Sequence, residues 1–304
     1  MDHSLYRYSG LPTRATLGAG SMPGVHGFVV LCLEHRRALG PEGAVRDPRF
    51  VGEFGSFTPD YRSWTQREYG LRIGVFRVIE ALKQASIRPE VAANAEVLER
   101  VPDLVKLFTD WGCEWVGHGL AANDLMHSRM PLDEQLRHIT QSLATISAAT
   151  GQQPLGWLSQ DWGTTPDTYA LLAQAGIEYT LDWCNDDQPY AMQAASNTAK
   201  PLVAVPLSAE WDDVQCQWLR HLTPQAHADL TLSAFDPLQR EFVRHGRRTV
   251  FGLALHPWVC GMASRIGPLR QLLAALATRP GAQWTSSGQI AASFHSPQTT
   301  ANPN

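Results

Sequence analysis

Polar side chains stand directly after several apolar segments of this chain, where the strands of a parallel sheet would end. The six endings are Glu34-His35, His118 with Asn123 close behind, Ser159, the run from Asp182 to Asp187, Glu210, and His256-Pro257-Trp258. Only 11 histidines occur among 304 residues, so chance would seldom place three of them at such positions. A carboxylate can take a proton from water, imidazoles can hold a divalent metal, and a histidine can protonate a leaving nitrogen. The residue types therefore predict hydrolysis.

Each of these residues also has a structural interpretation. A histidine after an apolar run, such as His256, often serves as a core residue bonded to a backbone carbonyl. His35 could be a solvated loop residue beside two arginines, and Asp186-Asp187 before Gln-Pro is typical of a turn. Six further histidines are predicted to lie on the surface: His127, His138, His221, His227, His245 and His295.

Other catalytic chemistries have less support in the sequence. There is no Gly-x-Ser-x-Gly elbow, and Cys184, the one cysteine at a strand end, has no paired histidine in sequence. The chain lacks a Gly-x-Gly-x-x-Gly turn and a Walker loop, so a nucleotide cofactor is not predicted.

Segments typical of strands and helices alternate along most of the chain. Strands are predicted at residues 29–33, 91–94, 114–117, 155–158, 179–181, 202–207, 249–255 and 282–285, and helices at residues 69–86, 97–111, 133–150, 166–175, 235–245 and 266–278. Such alternation calls for parallel pairing with helical crossovers. Seven or eight such units favour a (β/α) barrel over an open sheet. Reactive side chains of a parallel barrel lie at the carboxyl ends of its strands.

Composition excludes several classes of partner. The chain has 25 basic and 29 acidic residues, a net charge of −4, and only three lysines, so no surface for nucleic acid is predicted. The longest apolar stretch, residues 27–33, is too short for a membrane span. The amino terminus lacks the pattern of a secretory signal, so we expect a cytoplasmic protein. Five scattered cysteines without a Cys-x-x-Cys pair predict buried free thiols.

One domain is predicted for residues 1–304, with an extension at residues 1–25 and a disordered tail at residues 295–304. An aromatic-rich segment could roof the barrel mouth; its rings are Phe50, Phe54, Phe57, Tyr61, Trp64 and Tyr69. Tryptophans such as Trp64 and Trp211 would suit either a subunit interface of a homo-oligomer or the wall of a pocket.

The strand endings together resemble a known set of motifs. The segments are Leu33-Glu34-His35, Gly117-His118-Gly119, Gly156-Trp157-Leu158, the string DWCNDDQPY at residues 182–190, and LALHPW at residues 253–258. They are similar to the polysaccharide deacetylase superfamily, and within it to the branch of cofactor-independent allantoinases and cyclic-imide hydrolases. The resemblance covers about residues 29–284. It implies an α/β fold, a distorted (β/α) barrel of about seven parallel strands.

The resemblance also implies roles for individual residues. Glu34 would be the catalytic base, His256 the general acid, and Asp182 the acid that orients His256. His118 would act at the catalytic centre and, with His35, bind a metal. Five residues would contact substrate: Trp157, Asn185, Asp186, Trp258 and Arg265.

One departure from the family pattern concerns the metal. The second histidine of the usual His-x-x-x-His motif would fall at position 122, which is an alanine, and Asn123 is a weak substitute. Zinc holds well with three protein ligands, and His35 with His118 supplies only two unless Asn123, Glu34 or Asp186 joins. A site with zinc or another divalent metal and a site without metal both remain open. The allantoinase-like branch implies the second alternative.

The function that follows is hydrolysis of a non-peptide C–N bond in a small cyclic amide, imide or ureide. One alternative is deacetylation of an N-acetylated sugar or small amide by the same residues. Another is a catalytically inactive barrel that binds a ligand or a partner, for which Ala122 is the motivating feature.

Overall fold

Eight strands lie side by side in one sheet that curls into a half-barrel, and a ninth pairs with the long first strand. The computed structural model describes residues 3–14, 24–44, 59–193, 200–246 and 249–295. Its strands are β1 (Val25–Leu33), β2 (Glu90–Ala93), β3 (Trp115–Gly117), β4 (Gly156–Trp157), β5 (Tyr179–Thr180), β6 (Tyr190–Ala191), β7 (Val203–Ala204), β8 (Thr249–Leu255) and β9 (Ala282–Trp284). Their spatial order is β6-β7-β5-β4-β3-β2-β1-β8.

Seven strands of this order run parallel, from β7 to β8, and only β6 is antiparallel to its neighbour. The distorted (β/α) barrel of about seven parallel strands is therefore confirmed. β1 and β8 are buried along their whole length, as strands covered on both faces must be, and this explains their continuous apolar sequences.

Helices flank the sheet in the described part of the chain. They are α1 (Tyr61–Tyr69), α2 (Val75–Gln84), α3 (Ala95–Arg100), α4 (Pro102–Asp110), α5 (Leu132–Thr150), α6 (Thr168–Gln174), α7 (Pro224–His245), α8 (Pro257–Cys260), α9 (Ile266–Ala277) and α10 (Ser287–His295). None of them combines the length and the apolar character needed to cross a membrane.

Alternation along β1 decides which side chains enter the barrel. Phe28, Val30 and Cys32 belong to the apolar cluster inside the sheet, whereas Val29 and Leu31 belong to the cluster between sheet and helices. Because successive side chains of a strand point to opposite faces, the next even-numbered residue, Glu34, also turns inward.

The open edge of β8 is bonded to loops. Val250 N donates to Asp187 O at 2.9 Å, and Trp211 Nε1 donates to Gly252 O at 2.8 Å. Trp211 is half-buried and stacks on Phe251, so this tryptophan protects the sheet edge rather than lying free on the surface.

Two glycines let α8 approach the first helices closely. The π-helical turn Gly70–Gly74 joins α1 to α2. A Cβ on Gly70 would lie 2.6 Å from Trp258 N, and one on Gly74 would overlap Pro257 O. Only glycine permits such contact between backbones, and the contact brings α1 and Trp258 together at the barrel mouth.

Several predicted boundaries differ from the structure. The helix predicted at 97–111 is broken at Val101, because Pro102 disfavours helical geometry in the residue before it. The helix predicted from residue 235 begins at Pro224, where Thr223 Oγ1 accepts from Ala226 N. No strand or helix was predicted where β6, α8, α10 and most of α1 lie. Phe50, Phe54 and Phe57 of the predicted roof lie outside the described residues.

Two histidines predicted to lie on the surface are buried. His138 is 4% exposed, and His227 is 3% exposed with its ring bonded to Gln217 and to Trp211 O. Helical faces that pack against loops hide polar side chains that the local sequence shows as exposed. Four cysteines are buried free thiols, as predicted, but Cys184 is exposed.

Helix α10 closes the end of the barrel where the strands begin, opposite their carboxyl ends. Ile290 and Ala291 belong to the inner apolar cluster. Ser287 N and Ser287 Oγ donate to Glu90 Oε2 at 3.0 and 2.7 Å. Burial raises the pKa of Glu90 to about 8, against the opposing Ser287 hydrogen bonds and with a further contribution from Glu114.

Glu90 makes stability depend on pH. Its pKa is about 8 in the folded protein, against 4.5 for an ordinary glutamate. Between these two pH values the folded protein binds a proton at Glu90 that the unfolded chain does not bind, so the folded protein loses stability as pH rises. Glu90→Gln lacks this titration. We therefore expect the difference in free energy of unfolding between Glu90→Gln and the natural protein to shift in favour of the variant by about 1 kcal/mol per pH unit across this window. Urea unfolding between pH 5 and 8 measures this difference, and parallel pH profiles would contradict it.

Candidate active site

A buried carboxylate, Glu34, joins four elements at the mouth of the barrel. Its Oε2 accepts from Arg67 Nη1 of α1 at 2.9 Å and from Trp258 Nε1 of α8 at 2.8 Å. Its Oε1 accepts from Gln160 Nε2, in the loop after β4, at 2.5 Å. Glu34 itself follows β1 and is 3% exposed. Three donors from three separate segments thus hold one carboxylate.

Arg67 supplies the charge that keeps Glu34 ionised. Burial alone would raise the pKa of Glu34, but the charge of Arg67, with the nearby His118 and His256, holds that pKa well below its ordinary value. The guanidinium also lies 4.5 Å from the centre of the Trp258 ring. Removing one partner of such a buried pair typically costs about 3–5 kcal/mol, so Glu34 is part of the framework of the site.

A cavity that opens to solvent at its mouth lies beside this cluster. Two histidines on different strands line it, His118 after β3 and His256 after β8. Its other lining residues are Leu158, Ser159, Gln160, Asp161, Trp162, Leu207, Asp212, Val214 and Ala254. Glu34 is not among the lining residues, although its Oε1 lies 3.7 Å from His118 Nε2.

His118 is held with one nitrogen toward the backbone. Its Nδ1 lies 2.6 Å from Leu158 O, and since a carbonyl only accepts, Nδ1 carries the proton. Nε2 is buried and has no hydrogen-bond partner in the described part of the chain. In the neutral ring this nitrogen is a free proton acceptor.

His256 is held by a carboxylate instead. Its Nδ1 lies 2.6 Å from Asp213 Oδ1, and its backbone N donates to Asp213 Oδ2 at 2.9 Å. Burial would lower the pKa of His256, but Cys32, Asp213 and Asp212 outweigh burial and raise it well above the ordinary value. The two histidines that line one cavity are therefore set up oppositely, one to accept a proton and one to donate it.

Two further carboxylates face this cavity. Asp212 is fully buried, its Oδ2 has no hydrogen-bond partner among the described residues, and burial, against the charge of His256, raises its pKa to about 7. Asp161 has its pKa raised by burial and by the charge of Glu34. Asp161 has φ +50° and Trp162 has φ +52°, a left-handed conformation that costs non-glycine residues on the order of 1 kcal/mol or more each.

The family resemblance implied that Asp182 orients His256, but Asp182 is bonded elsewhere. Its carboxylate accepts from Ser159 N at 2.6 Å and from Ser159 Oγ at 2.9 Å, and the acid at His256 is Asp213. Trp157 is 1% exposed and donates to Ser159 Oγ at 3.0 Å. These two predicted site residues support the loop that carries Gln160 and Asp161 and do not line the cavity.

The remaining predicted substrate residues lie apart from the cavity. Asp186 forms a two-point ion pair with Arg14 of the amino-terminal segment, at 2.5 and 2.6 Å. Asn185 is exposed and accepts from Tyr190 Oη. Arg265 caps the start of α9 and is half-buried. Trp258 alone of this set contacts the Glu34 cluster.

The predicted ligands His35 and Asn123 have other contacts. His35 turns away from the barrel interior, with its Nε2 3.9 Å from Glu96 Oε2. Asn123 Oδ1 accepts from Arg37 N, and Asn123 Nδ2 donates to Arg37 O. The oxygen and the nitrogen of the Asn123 side-chain amide therefore both bond to the loop after β1, and neither is bonded to His118.

One group of three potential metal ligands occurs in the described residues: Asp212, Asp213 and His256, whose ligand atoms lie within 4.8 Å of one another. The donor set is of the right chemical type, but two of its atoms are 2.6 Å apart and share a proton. Two ligands of one tetrahedral zinc lie about 3.3 Å apart, because each bond is about 2 Å long. The group does not fit a divalent metal while the Asp213–His256 bond is intact.

Sequence reasoning missed Arg67, Gln160, Asp161, Asp212 and Asp213. The strand-end rule did point to the loop after β7, but it selected Glu210, which is exposed and pairs with Arg220. Asp212 and Asp213, two and three residues after Glu210, were the signal that could have identified this part of the site. Arg67 lies on a helix that precedes β2, where a rule based on strand ends does not look.

Similar proteins are found among curated sequences and among solved structures. No family model matches the chain. Among curated proteins, the "Putative polysaccharide deacetylase" of Schizosaccharomyces pombe is 24% identical over 240 residues, 74% of this chain and 73% of its own. The peptidoglycan deacetylase of Helicobacter pylori is 20% identical over 251 residues, 73% of this chain and 84% of its own.

Solved structures agree with these relatives. A probable polysaccharide deacetylase of Pseudomonas aeruginosa has a TM-score of 0.75 at 21% identity, over 93% of this chain and 98% of its own. PuuE allantoinase has a TM-score of 0.75 at 22% identity, over 93% and 97%. The resemblance to polysaccharide deacetylases and an allantoinase that the motifs indicated is therefore confirmed, and the solved structures show the same fold.

The geometry of the Asp213–His256 pair predicts that the protein binds no metal of its own. We expect protein purified without chelator to hold less than about 0.1 equivalent of zinc or other divalent metal, and its melting temperature to stay unchanged after dialysis against EDTA. Elemental analysis and thermal unfolding measure the two quantities. One equivalent of metal in the natural protein that is lost in Asp212→Asn would contradict this prediction.

Proposed function

We propose that the chain is a hydrolase that opens a small cyclic amide, imide or ureide at a non-peptide C–N bond. The observation that carries this proposal is the pair of oppositely held histidines on one cavity, His118 and His256. Relatives named as deacetylases and an allantoinase of the same fold support C–N hydrolysis.

The chemistry assigned to the two histidines is acid–base catalysis. His118 Nε2 takes a proton from water as the water oxygen bonds to the ring carbonyl carbon. His256, protonated because its pKa is raised, gives the Nε2 proton to the departing nitrogen as the C–N bond breaks. The products are a carboxylic acid and a free N–H group, and water supplies both the oxygen and the hydrogen.

Glu34 has a supporting part in this proposal. Three donors occupy its carboxylate, and its pKa is well below the ordinary value, so it is a weak proton acceptor. It places Gln160 and Trp258 beside the cavity, and its charge, 3.7 Å from His118 Nε2, stabilises the ring of His118 when that ring has taken up a proton.

The proposal is tested by a panel of hydantoin, allantoin, succinimide and N-acetylglucosamine oligomers. We expect turnover of at least one ring substrate, and a fall of about 10²–10⁴-fold in kcat/KM in His256→Asn. His245→Asn is the matched control, because His245 is exposed at the end of α7, and it should leave the rates unchanged. Steady-state kinetics on purified proteins gives these values.

The panel also separates the alternatives. Turnover of the sugar oligomers alone would replace the proposal with deacetylation. Binding of ring compounds without turnover of any C–N substrate would favour a barrel that binds a ligand only.

A further inference from the structure

We propose that Asp161 and Trp162 read the N–H and C=O groups on one edge of a cyclic amide, so that the site selects rings with an unsubstituted N–H. This inference rests on the proposed function of the same cavity. It assigns a specificity role to two adjacent residues that line the cavity with a carboxylate and an indole N–H.

The backbone of Trp162 is held in an unfavourable conformation, next to an aspartate that tolerates the same region. Asp161 has φ +50° and ψ +33°, and Trp162 has φ +52°, where side chains other than those of glycine, asparagine and aspartate are rare. The neighbours are fixed: Ser159 by Asp182, and Gln160 by Glu34 and Asn94. Strain that persists because its surroundings impose it tends to mark a functional segment.

Both residues line the cavity with polar side chains. Trp162 Nε1 is buried without a hydrogen-bond partner among the described residues, and the Asp161 carboxylate lies within reach of the charges of Arg67 and His256. A buried indole N–H without an acceptor is costly, as is any unpaired buried polar group. Adjacent residues therefore offer one acceptor and one donor to whatever occupies the cavity.

An acceptor next to a donor complements one kind of amide. A small ring forces its N–H and C=O bonds onto the same edge, so a carboxylate and an indole N–H can bind both at once. The amide of an N-acetyl sugar is trans, with N–H and C=O on opposite sides.

The test compares succinimide with N-methylsuccinimide, each rate divided by its rate of hydrolysis in hydroxide. The natural protein should prefer succinimide by at least about 100-fold in kcat/KM, because a site built to bond an N–H rejects the analogue that lacks it. In Asp161→Gly this preference should fall to about threefold or less. Asp161→Asn should lie between them, because its amide oxygen still accepts. Glycine and asparagine both tolerate the left-handed backbone, so neither change is expected to unfold the loop.

The matched control is Ser86→Gly. Ser86 has φ +55° and is exposed after α2, so this change relieves the same strain away from the cavity, and the preference should stay unchanged. An equal loss on both substrates in Asp161→Gly, or no preference in the natural protein, would overturn the inference.

Calorimetry of the binding of the two imides to His256→Asn separates this inference from the proposed function. Selective binding of succinimide without turnover by the natural protein would contradict hydrolysis and support the inference. Turnover of both imides without discrimination would support hydrolysis and contradict the inference. Binding and turnover of neither imide would contradict the inference, whereas the proposed function would be contradicted only if hydantoin and allantoin were not turned over either.

Discussion

The ion pair between Glu34 and Arg67 determines how the site is assembled. Both side chains are less than 10% exposed, so each charge depends on the other to offset the loss of water. The remaining lone pairs of the carboxylate are used by Gln160 and Trp258. Through these bonds the end of β1, helix α1, the loop after β4 and helix α8 meet at one point, and the cavity lies beside it.

The two histidines of the cavity, His118 and His256, differ in their hydrogen-bond partners. A histidine on a backbone carbonyl keeps a free nitrogen, whereas a histidine on a buried carboxylate keeps its second proton. Neither arrangement requires an ion at the centre. The alanine at position 122, where the family pattern has a histidine, fits a site whose charges are balanced by Arg67 and by the acids of the loop after β7.

The fold and part of the site could be predicted from sequence because strands and strand ends carry local signals. The run at residues 249–255 has the bounds of β8, and strand ends marked His118 and His256. Alternation along a strand means that only one of Glu34 and His35 faces the interior, but the sequence left open which one; the inward positions of Val30 and Cys32 select Glu34. Arg67, Asp161 and Asp213 could not be predicted in this way, because their roles depend on long-range contacts and on a strained turn that no local pattern reveals.

A double-mutant cycle on Glu34→Gln and Arg67→Met tests the central role of the ion pair most directly. Glutamine would turn an NH₂ group toward a donor, and methionine would leave the carboxylate unpaired. We predict a loss of about 3–5 kcal/mol in the free energy of unfolding for each single variant, and a coupling energy of at least about 2 kcal/mol. The exposed pair Lys106–Asp110 should show a coupling energy of about 0.5 kcal/mol or less. If Glu34→Gln were as stable as the natural protein, or if the two losses added within about 0.5 kcal/mol, the account would be contradicted.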